Sequence, residues 1–167
     1  MVRGLGASVE LRDYPRHTLI SCDVGGSFDG AANRGFGPLV RYISGDNRRS
    51  QQIAMTAPVL HEPHPGTHHT ISFVLPEGMT PADAPFPASA AVVVTEVPRR
   101  QVAVLRFSGG LSEGRARESE KRLRHAVSTG GLTAVGEVFF ALYDPPWKPG
   151  FLRRTEALVV VEGTLNL

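Results

Sequence analysis

Four kinds of side chain in this 167-residue chain could do more than pack. Histidine comes first: His61, His64, His68 and His69 lie close together, as His61-x-x-His64 followed by an adjacent pair. Imidazole suits zinc and related metals, but neither cysteine nor a tight carboxylate set stands nearby to complete a structural site. Pro63, Pro65 and Gly66 make His61 to His69 a loop by composition, where histidines are ordinarily solvated. Arginine comes second. Arg48-Arg49 and Arg153-Arg154 are two pairs of guanidinium groups, each able to grip carboxylates or phosphates through two parallel hydrogen bonds. Third, Glu96 and Glu156 fall on or beside expected strands, and a desolvated carboxylate can serve as a general base. Their ordinary setting is a surface or sheet edge. Last, Ser27, Ser44, Ser72 and Ser108 lack a nucleophile-elbow context, and no Gly-rich phosphate loop follows a strand. Cys22 reads as a small buried hydrophobe. No nucleophile with its base stands out in this inventory.

Composition narrows the partners. The length suits one domain, residues 1–167, with a sizeable core. No apolar run approaches the ~18 residues of a membrane span, and Met1 to Val9 lacks the apolar centre of a secretory signal. A single cysteine cannot form an intrachain disulfide, which fits a reducing, cytoplasmic setting. The formal charge is +2, and the basic residues are dispersed among acids without interleaved aromatics, so no nucleic-acid footprint is expected. The expected state is a monomer.

These residues must be positioned by a small number of elements. Val9 to Tyr14 alternates apolar and polar and stops at Pro15; His17 to Val24 is a second strand closed by Gly25-Gly26. Phe28, Ala32, Phe36, Leu39, Val40 and Ile43 recur at helical spacing, with Ser27 or Asp29 as the expected cap. Gly35 and Gly37 lower helix propensity and point to a neighbour packed closely against this helix; Pro38 sits awkwardly inside it. Gly45-Asp46-Asn47 supplies a turn, Gln52 to Thr56 reads as a strand broken by Pro58, and Thr70 to Leu75 is another. An irregular connector over 77–91 leads to strands Val92 to Val97 and Gln101 to Phe107. A polar helix then runs from Ser112 to Ser128 with Gly130-Gly131 as its stop, before strands Val138 to Tyr143 and Glu156 to Glu162. Between these last two strands, Asp144 to Gly150 reads as a stiff loop carrying Trp147, a lid or clasp residue. The order is β-β-α-β-β twice. Tyr14-Pro15-Arg16-His17 to Gly25-Gly26 is echoed by Val97-Pro98-Arg99-Arg100 to Gly109-Gly110.

Several motifs in this order carry a resemblance. Val9-Glu10-x-Arg12-x-Tyr14-Pro15, Asn33-x-Gly35-Phe36-x-x-Leu39-x-x-Tyr42-Ile43-x-Gly45-x-Asn47, and Met55-Thr56-Ala57-Pro58-Val59 come first. Ser72-Phe73-Val74-Leu75-Pro76 follows, and Tyr143-x-x-Pro146 with Phe151-Leu152-x-Arg154-x-Glu156 closes the chain. Together, over roughly residues 8 to 162, they resemble the SOUL haem-binding protein family. The resemblance implies an α+β fold: a distorted antiparallel eight-stranded β-barrel with two helices, built from pseudo-repeats at approximately 8–76 and 92–162. It also implies kinship with GyrI-like effector-binding domains, which hold small hydrophobic or cationic molecules.

The implied function is to hold haem b or another porphyrin reversibly, as a small-molecule tetrapyrrole partner. A macrocycle needs an apolar slot, and its propionates need cations at the rim. On the family pattern the slot falls to Phe36, Leu39, Val40, Ile43, Met55 and Val59, and the rim to Arg48, Arg49, Arg153 and Arg154, with Tyr143 at the edge. Some members carry His before the opening-strand Tyr as a proposed axial ligand. This chain has Asp13 there, a poor match for haem iron. Met55 could ligate iron weakly, and the loop histidines could reach haem iron as readily as zinc. The alternative is a GyrI-like small-molecule hydrolase or effector-binding module, which predicts Glu96 or Glu156 in a cleft with its pKa shifted upward.

Overall fold

The computed structural model describes residues 2–5, 8–145 and 147–163; Pro146 of the expected closing block and Met1 lie outside them. The fold is α+β, with two α-helices and nine antiparallel strands among the described residues. These are β1 (Val2–Gly4), β2 (Val9–Tyr14), β3 (His17–Gly25), β4 (Val59–His64), β5 (His68–Val74), β6 (Val93–Val97), β7 (Arg100–Ser108), β8 (Thr133–Leu142) and β9 (Arg154–Glu162). The helices are α1 (Ala31–Ile43) and α2 (Glu113–Thr129). Both expected ββαββ repeats are present, and β1 is an addition that the sequence did not announce. Among the described residues no helix is long and apolar enough to cross a membrane.

Two compact units divide the chain, at Pro15/Arg16 and at Pro98/Arg99. These are the two Pro-Arg steps of the sequence echo. The central unit, Arg16–Pro98, has strand order β4-β5-β3-β6. The terminal unit, from Met1–Pro15 and Arg99–Leu167, has β8-β9-β7-β2, with β1 added beyond β2. The two orders are the same once each repeat gives its first strand to the other unit: β2 pairs with β7, and β6 pairs with β3.

In the central unit α1 covers one sheet face. Ala31, Leu39, Tyr42 and Ile43 bury with Ile20, Cys22, Ile71 and Phe73. Gly35 is the point of closest approach, since a Cβ there would lie 2.5 Å from Ile71 Cβ. Gly37 has no such neighbour; a Cβ would meet only an Arg41 nitrogen, at 3.7 Å. The expected cap is corrected. Neither Ser27 nor Asp29 caps α1, because the Ser27 hydroxyl donates to Asp29 O, and Gly30 opens the helix at φ 83°. Pro38 lies within the helix without ending it.

The strand expected at Gln52 to Thr56 is also corrected. This segment joins no ladder: Ile53 N–H donates to Ile43 O at 2.8 Å and the Thr56 hydroxyl donates to Val74 O. The strand begins only at Val59, beyond Pro58. Before it, Asn47 organises the turn. Its amide donates to Tyr42 O and Gln51 O, at 2.9 and 2.8 Å, and its oxygen accepts from the N–H groups of Arg49 and Gln51. Gly45 supplies the left-handed φ of 115°.

The terminal unit follows the sequence more closely. Ser112 caps α2 by accepting from Arg115 N–H, and Ala116, Ser119, Leu123 and Val127 form its buried stripe. β8 is five residues longer at its start than the expected Val138 to Tyr143, and its register slips between Val135 and Phe139. Val135, Gly136 and Glu137 are all exposed there, so no alternation marks them as strand.

Candidate functional site

The residues expected to hold an apolar ligand separate by burial. Leu39 and Ile43 belong to the central core, and Val40 and Val59 are half-buried against it, so these four support the fold first. Phe36 and Met55 are different, at 37% and 52% exposed. The Phe36 ring meets Phe73 edge-on at 5.3 Å and keeps its other surface open. Arg48 and Arg49 are both exposed. The Arg48 guanidinium lies 4.7 Å over the Phe86 ring, and Arg49 donates to Asp83 O at 3.1 Å. Neither has an acidic partner among the described ion pairs, so both can receive an anion.

The histidine loop is a correction. His61 and His64 are in β4, and His68 and His69 in β5, with only Pro65-Gly66-Thr67 between the strands. Pairing sorts them. His61 and His69 point to the α1 side and are buried, whereas His64 sits opposite His68 on the other side. His69 Nε2 lies 3.1 Å from Gly26 O, so that nitrogen carries the proton and Nδ1 accepts from His61 Nε2–H at 3.0 Å. Phe28 packs on both rings. Burial, with neighbouring His69 and Arg34, pushes His61 down to about 4, so the His61 ring is neutral near pH 7. Among the described residues no group of three or more His, Cys, Asp or Glu is placed to hold a metal ion.

The terminal unit contains the strongest electrostatic arrangement. Glu156 has a side-chain exposure of 0%. Arg12 clasps it with two bonds, Nη1 to Oε2 at 2.9 Å and Nη2 to Oε1 at 3.1 Å. Arg154 adds bonds to Oε1 at 2.6 and 3.2 Å, and the Tyr143 hydroxyl donates to Oε2 at 2.9 Å. Burial alone pushes this carboxyl up; the bonds from Arg12, Arg154 and Tyr143 outweigh it and hold it below the ordinary range. Arg154 also stacks over Tyr143, 4.3 Å from the ring centre.

These facts correct the reading of Glu156 as a sheet-edge carboxylate. They also remove the upward shift that a general base would need. Glu96, the other candidate, is 42% exposed with Arg16 at 3.9 Å. Arg12 was missed as a site residue. The alternation Glu10-x-Arg12-x-Tyr14 puts these three side chains on one face, but nothing in it names Glu156 as their partner.

Arg154 also borders an open groove of ≈ 690 Å³, with Arg106, Arg153, Val9, Phe107 and Leu152. Nearby in sequence, Trp147 and Phe151 are 83% and 76% exposed.

Comparison with known proteins agrees with this architecture. The model of the SOUL heme-binding protein family matches residues 1–160. Heme-binding protein 2 of Mus musculus is 30% identical over 149 residues, covering 84% of this chain and 72% of the relative. Heme-binding protein 1 of Xenopus laevis is 26% identical over 158 residues, covering 90% and 82%. The crystal structure of the EcmrR C-terminal domain superposes with a TM-score of 0.72 at 11% identity, covering 93% of this chain and 98% of that one, a likeness of fold alone.

Proposed function

Since the chain belongs to the SOUL heme-binding protein family, we propose that it binds haem b or a related porphyrin reversibly, without a strong protein ligand to iron. The observation that carries this reading is the exposure of Phe36 and Met55 in a unit whose core already buries Leu39 and Ile43. Large apolar side chains left at the surface supply contact area for a flat apolar ligand. Phe36 and Met55 hold the macrocycle, with half-buried Val40 and Val59 behind them, and Arg48 and Arg49 receive propionates. Arg154 and Tyr143 belong to the terminal unit, where both stay bonded to Glu156. Leu39 and Ile43 act from beneath, by holding α1 in place. Asp13, 38% exposed and facing Arg99, supports a mode of binding that leaves the iron without an axial carboxylate. A cytoplasmic location, with the free thiol of Cys22, belongs to the same proposal.

Titration with haemin and with metal-free protoporphyrin tests it, following the Soret band and Trp147 fluorescence. Saturable one-to-one binding of both is expected, weakened at least several-fold in Phe36→Ala and Met55→Ala with the fold intact. Absence of saturable binding of either ligand at micromolar protein refutes the proposal.

A further inference from the structure

The hairpin formed by β4 and β5 carries a second feature, independent of any porphyrin. His64 and His68 are direct cross-strand partners. Side chains so placed have Cβ atoms about 4.5–5.5 Å apart on the same face, a separation that two imidazoles can bridge with one ion. That face is the one away from α1, because Ile71, which receives Gly35, lies on the opposite side together with His61 and His69.

A chain of hydrogen bonds orients the first of the two rings. The Thr70 hydroxyl donates to Asp23 Oδ1 at 2.6 Å. Its oxygen is therefore the acceptor for His64 Nε2, 2.7 Å away, which must carry the proton. In the neutral ring this leaves the lone pair on Nδ1, the state that a metal requires. An imidazole whose other nitrogen donates to an anchored oxygen is the usual outer-shell arrangement of a metal-binding histidine. His68 is exposed and His64 half-buried, so both can be reached from solvent.

We propose that His64 and His68 form a two-imidazole chelate for a borderline divalent transition metal such as Zn2+, with Asp23 and Thr70 as the orienting chain and water completing the coordination. Nitrogen ligands of this kind select zinc and its neighbours over magnesium or calcium.

Calorimetric titration of the metal-free full chain with ZnCl2 tests this, alongside ring-proton NMR of the six histidines. One zinc per chain is expected, with the rings of His64 and His68 shifting while those of His61 and His69 do not. His64→Ala and His68→Ala should each lower affinity at least tenfold. Thr70→Val should lower it by roughly 10- to 100-fold, the range for outer-shell partners. His125→Ala should leave it unchanged. Absence of saturable zinc binding, or wild-type affinity in a protein lacking both His64 and His68, overturns the proposal. A zinc-induced shift confined to His17 or His125 overturns it equally. Haemin titration of the same variants reports on the porphyrin site separately, so the two readings can fail independently.

Discussion

Glu156→Gln is the sharpest probe of the terminal unit. The carboxylate has no exposure and accepts five hydrogen bonds, from Arg12, Arg154 and Tyr143. Glutamine keeps the shape, but it removes the charge and turns one end into a donor facing donors. Removing one partner of a buried ion pair costs about 3–5 kcal/mol, because the remaining charge stays desolvated. Arg154 is 36% exposed and can turn outward; Arg12, at 18%, keeps the half-exposed Glu10 and the Tyr14 hydroxyl. We therefore expect the lower end, about 3 kcal/mol at pH 7. For a chain of this size that corresponds to a fall in Tm of roughly 6–12 °C. The pH dependence separates charge loss from a packing defect. The folded pKa of Glu156 lies below its ordinary value of 4.5, so its stabilisation is complete above that value and is lost as pH falls through the folded pKa. The gap between wild type and variant should thus be constant from pH 7 to about 5 and narrow below about pH 4.5. Asp83 and Asp144, also held low, are common to both proteins and cancel in the difference. Urea unfolding followed by circular dichroism, repeated from pH 7 to 3, measures the gap. A gap below about 1 kcal/mol at pH 7, or one that does not change down to pH 3, would refute the reasoning.

Gly35→Ala places a methyl group 2.5 Å from Ile71 Cβ, and overpacking of this kind costs about 1–3 kcal/mol in urea unfolding. Gly37→Ala has no such clash and should be neutral or slightly stabilising, through better helix propensity. His61, lowered from 6.5 to about 4 by burial, gives stability that is fully present above pH 6.5 and lost as pH falls toward 4. His61→Phe should flatten the stability profile in that window, removing a slope worth up to roughly 3 kcal/mol; a profile as steep as that of wild type would assign the slope to another group.

What the sequence made legible is what local rules govern. Ser112 caps α2 and Gly130 ends it, because both signals act within one turn of the chain. The Pro-Arg echo pointed to a repeat, but not to the unit boundaries that fall at its two steps, because the exchange of β2 and β6 between repeats needs strand pairings of high sequence separation, such as Val9 with Leu105. α1 was found from its apolar spacing, but its start was not, because Ser27 is engaged in the preceding loop rather than free to cap. Glu156 looked like an ordinary strand carboxylate because its partner Arg12 lies 144 residues away. The histidines are the instructive case. Pro63, Pro65 and Gly66 made the segment read as loop, yet Pro63 occupies a strand position opposite His69, and only Pro65-Gly66-Thr67 turns. Taken as a tight hairpin centred on Gly66, the segment has one consequence that follows from strand geometry alone. Side chains alternate with period two, so odd-numbered 61 and 69 must share one face and even-numbered 64 and 68 the other. Once the turn is located, the apparent cluster of four divides into a buried pair that bonds to itself and an outward pair that opposes itself. Burial against α1 then decides which pair serves the fold and which remains available for chemistry.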